Sequence, residues 1–224
     1  MVDWSPIFIS MKTASLSIFI TFFLGLIVAW GIVKIKNDTL KSVLDGVFTL
    51  PIVLPPTVVG FFLLYIFGVR GPIGKFFLDF FAVQIPFSWS ATVIAAVVMS
   101  FPLMYRSARG AFEQVDSNLL DAGRTLGMSE WKIFWKILFA NALPGIISGG
   151  ILAYARGLGE FGATAMLAGN IAGQTRTLPM AVYSEVAGGN MGEASYYVIV
   201  IVIISFIAIF IMDYVAIRKE KQWR

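Results

Sequence analysis

Leu119-Leu120-Asp121-Ala122-Gly123-Arg124-Thr125-Leu126-Gly127 is a polar, helix-forming island in a chain that is otherwise mostly apolar. Asp116 or Ser117 is placed to cap a helix start, and Val115, Leu119, Ala122 and Leu126 recur at steps of four, three and four, as on one helical face. Gly127 stands where helices end, and Ser129 is placed to cap the next one. The expected local form is helix, glycine turn, helix. Small Ala122 and Gly123 leave a surface that a groove on another protein can approach closely. The stretch therefore reads as a docking element, or else as an amphipathic hairpin at a membrane surface.

Composition sets the surroundings of this island. Of 224 residues 58% are hydrophobic and 13% charged, and the mean hydropathy is +0.83, too apolar for a soluble domain. The expectation is an all-α integral membrane protein. No cysteine and no histidine occur, which excludes disulfides, thiolate nucleophiles, imidazole bases and the usual nitrogen or sulfur metal ligands. The first ten residues lack a basic segment and a small-residue cleavage site, so the first apolar stretch is expected to remain as a span.

A helix needs about 20 apolar residues to cross the hydrocarbon layer, and five stretches qualify: 13–33, 46–68, 89–105, 140–168 and 194–217. Pro51, Pro55 and Pro56 each remove a backbone donor from the second, which must kink or break there. With the neighbouring Thr57 this break reads either as lining for a transport path or as a kinked packing helix. Residues 68–89 read as an outside loop with a short apolar helix near 73–81. Pro102 lies near the end of the third span, and Arg106 and Arg109 stop it. Beyond the island, Trp131, Phe134, Trp135 and Leu138 make one apolar face with Lys132 and Lys136 elsewhere, which predicts a helix lying along the membrane before the fourth span turns in.

Lys and Arg orient the chain. The segments after the first, third and fifth spans hold 3, 5 and 4 of them, twelve of 17. Lys12, Arg70, Lys75 and Arg176 lie on the other side, and Arg156 is within the fourth span. Basic residues in short segments favour the cytoplasm, so the amino terminus is expected outside, with the carboxyl terminus and the docking island inside.

The fourth span carries two lines of residues. Gly145, Gly149, Ala153 and Gly157 form a small-residue ridge suited to close helix packing. Ser148, Arg156, Glu160 and Thr164 fall on a second line at multiples of four. A charge at such depth is disfavoured by roughly 2.5 to 3.5 kcal/mol, so the Arg156–Glu160 pair must face the bundle interior or a water-filled cavity. It marks a pathway or gate, or else it is a self-contained pair that fixes register.

A family resemblance rests on these residues. Asp121-Ala122-Gly123-x-x-x-Gly127 resembles the cytoplasmic Glu-Ala-Ala-x-x-x-Gly loop of ABC importer permeases, with Asp121 and Gly123 as conservative departures. Ile137 fits that pattern, whereas Phe139-Ala140 stands where Leu-Pro is expected and Leu143-Pro144 comes four residues late. The run 155–162, Ala-Arg-Gly-Leu-Gly-Glu-Phe-Gly, followed by Ala168-Gly169-Asn170, resembles the oxyanion permeases for sulfate, molybdate and tungstate. The segment 170–183 is most similar to molybdate permease subunits, and the likeness continues through Leu50-Pro51 to Gly60 and Ser100-Phe101-Pro102.

The resemblance implies a type I ABC importer permease fold in the plasma membrane, with a cytoplasmic coupling loop over 106–138 whose residues 120–127 meet an ATPase. It implies a second copy of the chain, two ATPase subunits that bind the ATP and Mg, an external molybdate-binding protein, and molybdate or tungstate as cargo. Lipid surrounds such a subunit, and no nucleic acid or cofactor belongs to it. Thr175, Arg176 and Thr177 are candidates for contact with the binding protein. The rival functions are a sulfate importer permease and, from another class, a secondary transporter or channel, which needs no docking hairpin. The chain does not read as an enzyme: the glycines from Gly68 to Gly74 lack phosphate-loop spacing with Phe76 where a hydroxyl is needed, and Glu160 has no His, Cys or metal cluster beside it.

Overall fold

A run of apolar residues too long for any soluble helix, opened by a proline, builds the first element, α1 (Ser5–Val33). It starts earlier than residue 13 because Asp3 accepts both the N–H and the hydroxyl of Ser5 at 2.8 Å, and Pro6 suits a first helical turn. The computed structural model describes residues 3–222; Arg224 and the side chains of Arg218, Lys219 and Lys221 lie outside the described residues. Helices α2 (Asp38–Val53) and α3 (Pro56–Phe67) follow, then α4 (Pro72–Phe81), α5 (Trp89–Glu113), α6 (Ser117–Thr125) and α7 (Glu130–Ile133). A π-helical turn (Phe134–Leu138) leads into α8 (Phe139–Leu158), α9 (Gly162–Leu167), α10 (Leu178–Ala187) and α11 (Met191–Gln222). The described residues contain no strand.

Helices α1, α5 and α8 form the packed body. In lipid there is little hydrophobic gain from bringing helices together, so close packing and interhelical hydrogen bonds must hold them. The small-residue ridge supplies the packing: a Cβ on Gly145 would sit 2.7 Å from the Ala111 methyl, and one on Gly149 would collide with Ser107. Between α1 and α5, Thr13 and Thr92 hydroxyls meet at 2.9 Å and Thr21 and Ser100 at 3.1 Å, each worth about 0.6 kcal/mol in a membrane. A core of Leu26, Ala29, Met104, Tyr105, Phe112, Phe134 and Ile146 closes the end nearest α6 and α7. A second core joins Val59 and Leu63 of α3 to Ala95 and Met99 of α5 and Leu167 of α9.

Four helices are long and apolar enough to cross a membrane, and the bent pair α2–α3 makes a fifth candidate. The 46–68 stretch, expected to kink or break at its prolines, breaks into two helices meeting at 113°. Leu54, held extended at φ −74° and ψ 143° before Pro55, and the missing donors of two consecutive prolines explain the corner. The fourth span differs twice. Residues 130–158 run on as one 29-residue helical segment, so no separate surface helix turns in. Its far end stops at Leu158 rather than near 168, because Gly157, Gly159 and Gly162 weaken the helix and Glu160 starts a new one. The helix predicted near 73–81 is α4.

Candidate functional site

The hairpin forms as its residue types require. Asp116 Oδ1 accepts the Asn118 N–H at 2.9 Å to start α6, and the Ser129 hydroxyl accepts the Lys132 N–H at 3.4 Å to start α7. Gly127 adopts φ +74° between them, in the left-handed region that a residue with a Cβ avoids, and Met128 N–H closes the turn on the Gly123 carbonyl at 3.1 Å. Gly123 is buried: a Cβ there would lie 2.8 Å from Ile137 Cδ1 and 3.2 Å from Ile133 Cγ1. It is therefore needed for the hairpin's own closure, while Ala122 stays exposed on the other side. Arg124 clamps the turn, bonding Glu130 Oε1 at 2.8 Å and Asp121 Oδ1 at 2.6 Å. Those bonds, Glu130's first, push the guanidinium further toward its charged form. The Thr125 hydroxyl donates to the Asp121 carbonyl at 3.0 Å. Leu120 packs on the body, whereas Leu126 is 81% exposed at the tip. A preorganised scaffold thus presents an exposed apolar tip.

The interior candidates come together in a way that differs from the predicted stripe. Because α8 ends at Leu158, Glu160 and Thr164 do not continue its face toward Ser148. Glu160, only 2% exposed, instead caps α9, accepting the Ala163 N–H at 2.7 Å with Oε1. Arg156 Nη1 stands 2.7 Å from Oε2, a Coulombic contact off the line of a well-formed hydrogen bond, and that oxygen has no other donor among the described residues. Thr164 is buried inside α9, and Ser148 opens onto a different cavity, between α5 and α8. The α2–α3 corner reaches this same place. A Cβ on Gly162 would be 2.8 Å from Pro56 Cβ and 3.3 Å from Thr57 N, and one on Gly60 would be 2.8 Å from Ala163 Cα. Pro55, Pro56 and Thr57 are exposed on their other side, and Pro51 lies within α2.

The loop after α9 corrects a second expectation. Thr175 and Thr177 are buried, and the Thr175 hydroxyl accepts the Ile171 N–H at 3.0 Å, so it shapes the loop rather than facing outward. Arg176 is the accessible member of the trio, held by Asn170 Oδ1 at 2.8 Å and near Glu185 at 3.9 Å.

One cluster was not anticipated. Asp45 of α2 accepts the Tyr105 hydroxyl at 2.7 Å and pairs with Arg109, which bonds Glu113 at 3.0 Å, while Lys41 reaches Glu113 at 2.7 Å. The four-residue spacing of Arg109 and Glu113 was readable, but Asp45 and Lys41 join them only through the fold.

The family description "Binding-protein-dependent transport system inner membrane component" matches residues 21–221. The chain belongs to this family. The Molybdenum transport system permease protein ModB of Escherichia coli K12 is 43% identical to it over 225 residues, covering 99% of this chain and 97% of that one. ModB of Haemophilus influenzae is 37% identical, covering 99% and 96%, and the putative molybdenum permease YvgM of Bacillus subtilis is 41% identical, covering 94% and 92%. Among solved structures, the MetNI methionine ABC transporter superposes with a TM-score of 0.75 at 18% identity, covering 96% of this chain and 94% of the other. A bacterial alginate ABC transporter gives 0.77 at 12%, covering 96% and 78%. The fold is therefore that of type I ABC importer permeases, a multi-pass membrane subunit.

Proposed function

We propose that this chain is the permease subunit of an ATP-driven importer of molybdate, with tungstate as an alternative cargo. One observation carries the reading: identity of 43% along essentially the whole chain to a molybdenum transport permease. Two copies meet across a two-fold axis with the pathway at the seam. Each docks through its hairpin on a cytoplasmic ATPase subunit, and an external binding protein delivers the dianion. ATP and Mg bind to the ATPase; this chain supplies the path. The concentration of Lys and Arg after the first, third and fifth spans supports a cytoplasmic hairpin and an external amino terminus.

Leu126 enters a groove on the ATPase, and the clamp of Arg124 on Asp121 and Glu130 makes the hairpin move as one piece. Closure of the ATPases then shifts α5 and α8, against which the hairpin rests. The α2–α3 corner leaning on Gly162 is the gate, and the Arg156–Glu160 pair holds the fixed side of it. Arg176 offers a charge to the binding protein.

Gly127→Asp strains the turn and places a charge beside the tip. It is expected to abolish co-purification with the ATPase while membrane insertion persists. Normal co-purification would overturn the docking role. Reconstituted vesicles holding the permease, its ATPase and its binding protein should hydrolyse ATP faster with molybdate than with sulfate, and the reverse order would reassign the cargo.

A further inference from the structure

A cavity of about 700 Å3 opens between α5 and α8 beside the hairpin. We propose that it is a weak binding site for a tetrahedral oxyanion, with Arg106 as its cation. Its wall holds Arg106, Ser107 and Gln114 of the α5 end and Asn141 and Ser148 of α8. Among the described residues the Arg106 guanidinium, the Ser107 and Ser148 hydroxyls and the Gln114 amide form no side-chain hydrogen bond or ion pair. Asn141 donates one amide proton to the Ile137 carbonyl at 2.7 Å and keeps the other. Residues whose side-chain donors have no protein acceptor thus line one space.

The surrounding charges single out Arg106. Lys41, Asp45, Arg109 and Glu113 pair among themselves, two cations with two anions, and cancel. Arg106 borders that cluster and acts on Asp45 at a distance, yet pairs with none of its members. Arg156, by contrast, is neutralised by Glu160. Asp116 is the acid on the cavity wall; it caps α6 and disfavours a lingering anion. A guanidinium offers two parallel donors to a pair of oxyanion oxygens, and hydroxyls and amides meet the others. Because Arg106 is exposed, water and salt screen the attraction and the bound anion leaves readily, as an exit site requires. The importer reading supplies the anion's identity and the cavity's cytoplasmic exposure; the convergent donors supply the site.

The chain has no cysteine, so Ser148→Cys introduces its single thiol. In the complete transporter, maleimide labelling is followed on the separated permease band with molybdate, sulfate, or chloride at matched ionic strength. At half occupancy a dianion should slow labelling about twofold, and chloride should not. Arg106→Gln in the same background should abolish the protection, each variant being compared with its own anion-free labelling rate because a nearby guanidinium also favours the thiolate, and Arg106→Lys should keep part of it. Protection that survives Arg106→Gln, or absence of protection by either dianion, overturns the site even if molybdate is transported. Protection by sulfate or molybdate in a transporter that does not move molybdate upholds the site and removes only the cargo assignment.

Discussion

The chain interrupts its helices at two corners that touch, and it builds them by opposite means. At α2–α3, prolines deny the backbone its donors and force Leu54 extended, with Val53 78% exposed and no residue of α2 buried. At α8–α9, glycines merely permit a turn, and the buried Glu160 holds it by capping one helix and pairing with Arg156. A corner imposed by covalent geometry survives without neighbours and suits a part that moves. A corner held by a carboxylate needs its surroundings, and suits the part moved against.

The comparison can be broken most forcefully at Arg156. Arg156→Ala leaves the buried Glu160 without its cation and should destabilise the detergent-solubilised protein by about 3 kcal/mol in chemical unfolding. A loss below about 1 kcal/mol would show that the pair does not anchor the corner. Gly162→Ala places a methyl against Pro56 and should cost about 1 to 2 kcal/mol, with transport falling more than the amount of inserted protein. Combining it with Pro56→Gly should recover part of that loss, whereas simple additivity would mean that the two corners do not press on each other. The smallest effect lies on the unpacked arm. Gly46 has open space around its Cβ position, so Gly46→Ala should stabilise α2 by up to about 1 kcal/mol. Destabilisation together with a weakened association between copies in solution would mean that a second copy covers α2.

Much of the candidate site could be read in advance because its signals are local. Asp116, Gly127 and Ser129 mark the hairpin through backbone rules that act within a few residues. The prolines mark the α2–α3 corner in the same way. The α8–α9 corner is not legible in the apolar run 140–168, where Arg156, Glu160 and Thr164 keep four-residue spacing, and only burial and the bond to Ala163 show that Glu160 opens a new helix. The inward turn of Thr175 and Thr177 was equally hidden, since a hydroxyl serves a loop or a partner with the same sequence signature.

By itself, the amino-acid sequence determined the membrane as solvent, the helical class, the hairpin and the proline corner, since each follows from hydropathy or from covalent limits on neighbouring residues. Only the tertiary structure decided that Pro56 rests on Gly162, that four charges near Tyr105 cancel and that Arg106 is left over beside a cavity. Those relations join residues dozens of positions apart, and their energies depend on distance and burial, which exist only once α2, α5 and α8 have packed.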